Sequence, residues 1–152
     1  MRIWLVYDRE NIQRNQLFIN RWLDAGRDRG LSASVVAREE LAWGVREGQL
    51  YLSVETQDGL PFCVVMRAAA PLLSAHFEGM GIPVFNNARL SNICNDKRLT
   101  HQFAAGRAPM METAFINPGE TQSPLPYHVV VKAARGNGGR QVYLAEDNAS
   151  FL

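Results

Sequence analysis

The sequence predicts an α/β protein built on a parallel sheet, and three observations carry that expectation. The run Arg2-Ile3-Trp4-Leu5-Val6-Tyr7 is β-branched, aromatic and almost wholly apolar, as a strand covered on both faces must be. An amphipathic stretch follows, and then a second short apolar run, which together make a strand–helix–strand unit with a right-handed crossover. The 152 residues, 47% of them hydrophobic, suffice for one domain or one and a half with a real core, and they exclude a disordered chain.

The elements follow in order. The first strand ends at Asp8. From about Asn11 to Asp28 a helix places Ile12, Ile19, Trp22 and Leu23 on one face, with Arg14, Arg21 and Arg27 mostly elsewhere and Gly30 as the stop. Ser34 to Ala37 is the second strand. Gln49 to Val54 alternates as an added edge strand, Asp58-Gly59 marks a turn, and Phe62 to Met66 is another buried strand. Pro71 suits the first turn of a helix reaching about Phe77, ended by Gly79 and Gly81, before a short strand Pro83-Val84-Phe85. The first architecture closes near residue 88.

A second unit opens with a helix from about Ser91 to Ala105, with Leu99 and Phe103 four residues apart and Asn95 or Asp96 as the cap for the turn containing Lys97. A polar linker, residues 117–126, leads to the strand Val129-Val130-Val131-Lys132. Gly136-Asn137-Gly138-Gly139 then joins it to Gln141-Val142-Tyr143-Leu144, and Glu146 to Leu152 reads as a capped helical turn.

Charge excludes some partners. Sixteen basic and fifteen acidic side chains give a net charge of +1, so no global field recruits nucleic acid or an anionic membrane, and an anion site must be local. No apolar run reaches the roughly 18 residues of a membrane helix and no signal peptide opens the chain, which makes the cytoplasm the default location. Cys63 and Cys94 stand far apart without a CxxC or metal-ligand grouping and read as reduced, structural residues.

The chemistry concentrates between Val129 and Leu144. A lysine closing a buried strand, followed by a loop with three glycines, suits polyphosphate: backbone N–H groups approach phosphate oxygens and the ammonium supplies a point charge. The same segment is also compatible with an ordinary hairpin whose turn needs positive φ. It is neither a P-loop nor a GxGxxG dinucleotide loop, since Asp8-Arg9-Glu10-Asn11 follows the first strand. A receiver-like phosphoacceptor domain would want a carboxylate where Met66-Arg67-Ala68 stands.

Two motifs together resemble the ATP-grasp ligases, whose members include D-alanine ligases, glutathione-type ligases and carbamoyl-phosphate synthase large chains. Cys94-Asn95-Asp96-Lys97 resembles the family's (N/M)DK helix start. Val130-Val131-Lys132 with Gly136-Asn137-Gly138-Gly139-Arg140 resembles its strand lysine and mobile glycine loop. The resemblance implies a pre-ATP-grasp α/β domain over residues 1–88, followed over residues 89–152 by the N-terminal part of an ATP-grasp domain, incomplete here.

It implies further that Lys97 and Lys132 contact the α and β phosphates of ATP and that the loop Gly136, Asn137, Gly138, Gly139 folds over the β and γ phosphates. Arg135 and Arg140 flank the loop, where they are candidates to assist and equally compatible with ordinary surface arginines. Phosphoryl transfer needs such donors and a lid that excludes water. By the same resemblance the family's magnesium ligands are expected outside this chain. The carboxylates after the loop, Glu146 and Asp147, read instead as a helix start. Arg67 and Asp8, at the carboxyl ends of parallel strands where open sheets gather ligands, are candidates for docking a carboxylate substrate. His76, His101 and His128 have no partner readable from spacing.

The expected function is therefore the N-terminal fragment of an ATP-dependent carboxylate-amine or carboxylate-thiol ligase working through an acyl phosphate, inactive alone. Two other readings stand beside it: a split or degenerate ATP-grasp chain that binds a nucleotide or partner without catalysis, and a generic doubly wound domain with no nucleotide. An incomplete ATP-grasp domain should leave an apolar sheet face for self-association or a partner chain.

Overall fold

Burial on both faces places the first strand at the centre of a sheet. β1 (Arg2–Tyr7) is buried from Ile3 to Tyr7 and pairs in parallel with β2 (Ser32–Ala37) on one side and β5 (Cys63–Met66) on the other. β6 (Val84–Phe85) extends the sheet to the order β2-β1-β5-β6, all parallel. The computed structural model describes residues 1–55, 59–136 and 141–151. The chain divides into two units, residues 1–92 and 93–152. Among the described residues no helix is long and apolar enough to cross a membrane.

The two-residue period of β1 splits the first unit's core in two. Trp4 and Val6 join Val36, Val64 and Met66 against Leu73 and Phe77 of α3 (Pro71–Gly79), with the Phe77 ring edge-on to Trp4 at 6.3 Å. Ile3, Leu5 and Tyr7 face the other way onto Ile19, with Ile12, Trp22 and Leu23 around it. The helix expected from Asn11 to Asp28 is two helices, α1 (Arg9–Arg14) and α2 (Gln16–Arg27). Asn15 breaks it: its side-chain amide donates to the Asn11 carbonyl at 2.7 Å, the local competition for backbone groups that makes Asn a poor mid-helix residue. Pro71 does open α3.

Residues 49–54 are not an edge strand of the parallel sheet. β4 (Gln49–Val54) pairs antiparallel with β3 (Leu41–Arg46), absent from the sequence reading, in a separate hairpin. Glu47 and Gly48 both have positive φ, 52° and 76°, the pair a tight primed turn requires. Leu41, Trp43, Leu52 and Val54 pack on the Trp4–Phe77 face. His76, buried on α3, donates Nε2–H to the Tyr51 carbonyl at 2.8 Å and stands 5.0 Å from the Trp43 ring. Of the expected turn at Asp58-Gly59, Asp58 lies outside the described residues and Gly59 has φ +80°.

α4 (Ala88–Cys94) leads along the chain into the second unit, where the helix expected from Ser91 to Ala105 is likewise divided. α5 (Lys97–Ala104) starts afresh because the Asp96 carboxylate accepts the Arg98 N–H as its cap. After an irregular stretch, β7 (Val129–Lys132) and β8 (Val142–Ala145) form an antiparallel pair, and α6 (Asn148–Phe151) follows. β7 is not the buried strand its apolar run suggests. Val130, Val142 and Leu144 share one exposed face with Lys132, and Ala145 is the buried residue of the pair.

Truncating Phe77 to Ala removes the largest α3 side chain from the core, and such deletions cost about 3–5 kcal/mol. Urea denaturation followed by tryptophan fluorescence should show a loss of that size; a loss below ~1 kcal/mol would mean that the Trp4–Phe77 contact is not central to the first unit.

Candidate functional site

Lys97 and Ala133, the residue after Lys132, are 36 residues apart in sequence, and the second unit brings them together. Lys97 stands at the first position of α5, its N–H donating to the Ala134 carbonyl at 2.8 Å. Its ammonium donates to the carbonyls of Ala133 at 2.8 Å and Gly136 at 3.1 Å. The residue expected at a phosphate thus clasps the root of the glycine-rich loop. Lys132 ends β7 on its exposed face. Gly136, with φ +138°, is described, whereas Asn137, Gly138, Gly139 and Arg140 lie outside the described residues.

Beside Lys97 sits a buried carboxylate. Asp96, 3% exposed, accepts the Arg98 N–H at 3.0 Å, Arg98 Nε at 3.0 Å and Nη2 at 2.6 Å, and Arg135 Nε at 3.2 Å. The Arg98 side chain is the main cause that holds the Asp96 carboxyl well below the usual carboxylate range; desolvation opposes it, and the Arg98 N–H and Arg135 add to it. The same pairing raises Arg98. Sequence spacing pointed to Asp96 as a cap but not to the role of Arg98, and the 39 residues between Asp96 and Arg135 carry no local signal.

In the first unit, Asp8 and Arg67 leave the carboxyl ends of β1 and β5. With β2 on the other side of β1, chain connections diverge between these two strands, the position at which open α/β sheets bind ligands. Asp8 is engaged there by Arg38 Nε, and Arg38 also reaches Glu39 at 3.4 Å. Arg9 donates its N–H to Glu39 and its guanidinium to Glu40, each at 3.0 Å. Arg67 lies over the Phe18 ring at 5.2 Å. A cavity of about 270 Å³ opens at this edge, lined by Arg38, Trp43, Ala70, Pro71 and Leu73 among others. Arg38 and Trp43 were not singled out by sequence reasoning, because β3 itself was not legible.

Asp147 Oδ1 accepts the Ser150 N–H at 2.8 Å, and this bond, with the Ser150 hydroxyl, lowers its carboxyl. His101 stands edge-on to Phe115 at 6.5 Å. Both cysteines are free; burial pushes the Cys63 thiol up, and Cys94 is exposed. No group of three His, Cys, Asp or Glu side chains among the described residues could hold a metal ion.

Two solved structures share the fold. The RimK domain ATP-grasp protein of Sphaerobacter thermophilus superposes with a TM-score of 0.66 at 21% identity, over 99% of this chain and 57% of that one. The D-alanyl-alanine synthetase A of Vibrio cholerae gives 0.67 at 14% identity, over 98% and 53%. The chain shares the α/β fold of these two ATP-grasp structures. More particularly, its sequence is similar to two synthases. β-Citrylglutamate synthase B of Danio rerio is 30% identical over 96% of this chain and 41% of that protein, and N-acetylaspartylglutamate synthase A of Mus musculus is 31% identical over 64% and 30%. The chain thus spans less than half the length of these relatives. No protein-family model matches it.

Because the Asp96 carboxyl is depressed in the folded chain, its contribution to stability is complete above the pKa of an unfolded aspartate, about 4. That contribution is lost as pH falls from there toward the lower folded value. Urea denaturation at pH 7 and pH 3 should therefore show a smaller acid-induced loss in Asp96→Asn than in the parent chain; equal losses would remove Asp96 as a source of acid sensitivity.

Proposed function

We propose that this chain is the N-terminal part of an ATP-dependent ligase that joins a carboxylate to an amine or thiol through an acyl phosphate. On this reading residues 1–88 are the pre-ATP-grasp domain and residues 89–152 the N-terminal part of the ATP-grasp domain. The observation that carries it is the clasp between Lys97 and the loop root, which brings one motif lysine to the segment directly after the other. Polyphosphate recognition needs cations converging on one small volume.

Lys97 and Lys132 hold the α and β phosphates, and the Gly136–Gly139 loop with Arg140 covers the β and γ phosphates. The magnesium ion that accompanies ATP takes its ligands, on this reading, from outside this chain. Within the first unit, Arg67 and Asp8 at the switch point of the sheet are the candidates for docking a carboxylate substrate. In the complete enzyme a substrate carboxylate oxygen attacks the γ-phosphorus and ADP leaves. The amine or thiol then attacks the acyl carbon, and inorganic phosphate departs. Both sequence relatives are named for products ending in glutamate, which favours the amino group of an amino acid as acceptor. The chain alone binds ATP without turning it over.

Calorimetric titration with magnesium–ATP tests the reading. Hydrogen bonds to charged groups are worth about 1.5–3 kcal/mol, so Lys132→Ala, an exposed position, should weaken binding by about tenfold or more, and Lys97→Ala likewise. A parent chain that binds no ATP, or variants that bind it as the parent does, would overturn the proposal.

A further inference from the structure

Asp96 uses only part of the hydrogen-bonding capacity of the arginines it holds. Arg98 grips both carboxylate oxygens with Nε and Nη2, and Arg135 gives Nε alone. Arg98 Nη1 and both Nη groups of Arg135 have no acceptor among the described residues. The two side chains are 51% and 77% exposed. Lys97 spends two of its three ammonium donors on carbonyls, and Lys132 adjoins one of those carbonyls in sequence. Four cations and one carboxylate therefore meet within two short segments, a local excess in a chain whose net charge is only +1.

Stability alone does not account for this arrangement. Exposed ion pairs contribute little, and burying a carboxylate carries a desolvation cost that apolar packing would avoid. A buried carboxylate does fix the plane and direction of a guanidinium, and a guanidinium so fixed presents its outer edge as a two-pronged donor to phosphate.

We propose that Arg98 and Arg135 are additional ligands for the polyphosphate chain, and that Asp96 is the positioning residue that aims both of them. The proposal rests on the nucleotide reading of Lys97 and Lys132, and it names two phosphate contacts and one supporting carboxylate beyond them. The ligand class is a di- or triphosphate, free or as part of a nucleotide.

The sign of one substitution separates aiming from simple charge. Asp96→Asn removes a negative charge from the site, so Coulomb attraction alone predicts tighter binding of an anion, whereas loss of aim predicts weaker binding. The experiment is calorimetric titration of the full 152-residue chain with inorganic tripolyphosphate and, in parallel, with magnesium–ATP. Arg135→Ala and Arg98→Ala should weaken tripolyphosphate by about tenfold each, and Asp96→Asn should weaken it as well. Arg135→Lys, which keeps the charge but cannot hold Asp96 and offer a free fork together, should stay near the alanine variant rather than near the parent.

Tighter or unchanged binding by Asp96→Asn, or unchanged binding by Arg135→Ala, overturns the proposal. If Asp96→Asn does not fold, the exposed Arg135 variants decide by themselves. A parent chain that binds tripolyphosphate but not ATP, with the variants weakened as stated, removes the nucleotide reading and leaves this one standing. ATP binding that the variants do not alter does the reverse, and a chain that binds neither ligand overturns both.

Discussion

A carboxylate withdrawn from water needs donors on every side, and in the second unit that requirement determines where the neighbouring charged groups lie. Asp96 gathers one backbone N–H and two guanidinium groups, from the start of α5 and from the segment after β7. Lys97, beside it, takes three carbonyls of that segment with its N–H and its ammonium. These bonds link two pieces of chain that share no strand pairing. The helix start and the loop root thereby become one structural object, and the lysine motif gains its orientation from it.

The first unit obeys a different constraint, the burial of β1 on both faces. A strand with no solvent face must have a helix or hairpin on each side and a strand at each edge. α2 covers one side, and α3 with the β3–β4 hairpin covers the other. With β1 fixed, the exits at Asp8 and Arg67 follow as matters of connectivity. The ion pairs of Asp8 and Arg9 then tie the first exit to the turn at Arg38–Glu40. The edge of the sheet is polar where connections diverge and apolar within.

Legibility from sequence tracks how local the determining interaction is. β1 was readable from composition alone, and β2, β5, α3 and β6 from composition with a proline or glycine close by. The break at Asn15 was not, since one side-chain amide overrides an otherwise continuous helical pattern. β3 was missed because Ala42 and Gly44 blur its alternation, and with it went Trp43 and the cavity edge near Arg38. The apolar run Val129–Val131 signals a strand but does not say which faces are covered. Lys97 and Lys132 stood out through their motifs; the Asp96–Arg135 contact, formed across 39 residues, could only be seen in three dimensions.

The β3–β4 hairpin also bears on how the chain reaches its topology. Leu41 and Val54 face each other across its base, so the excursion between β2 and β5 leaves and returns at one point. Its contacts are close in sequence and its turn is set by two left-handed residues, so it can zip from the tip without waiting for the sheet. The effective loop between the parallel strands is then much shorter than the residue count suggests, and the entropy of closing the β1–β5 pair falls with it. An ornament on the sheet thus acts as a built-in shortening of the longest connection in the unit.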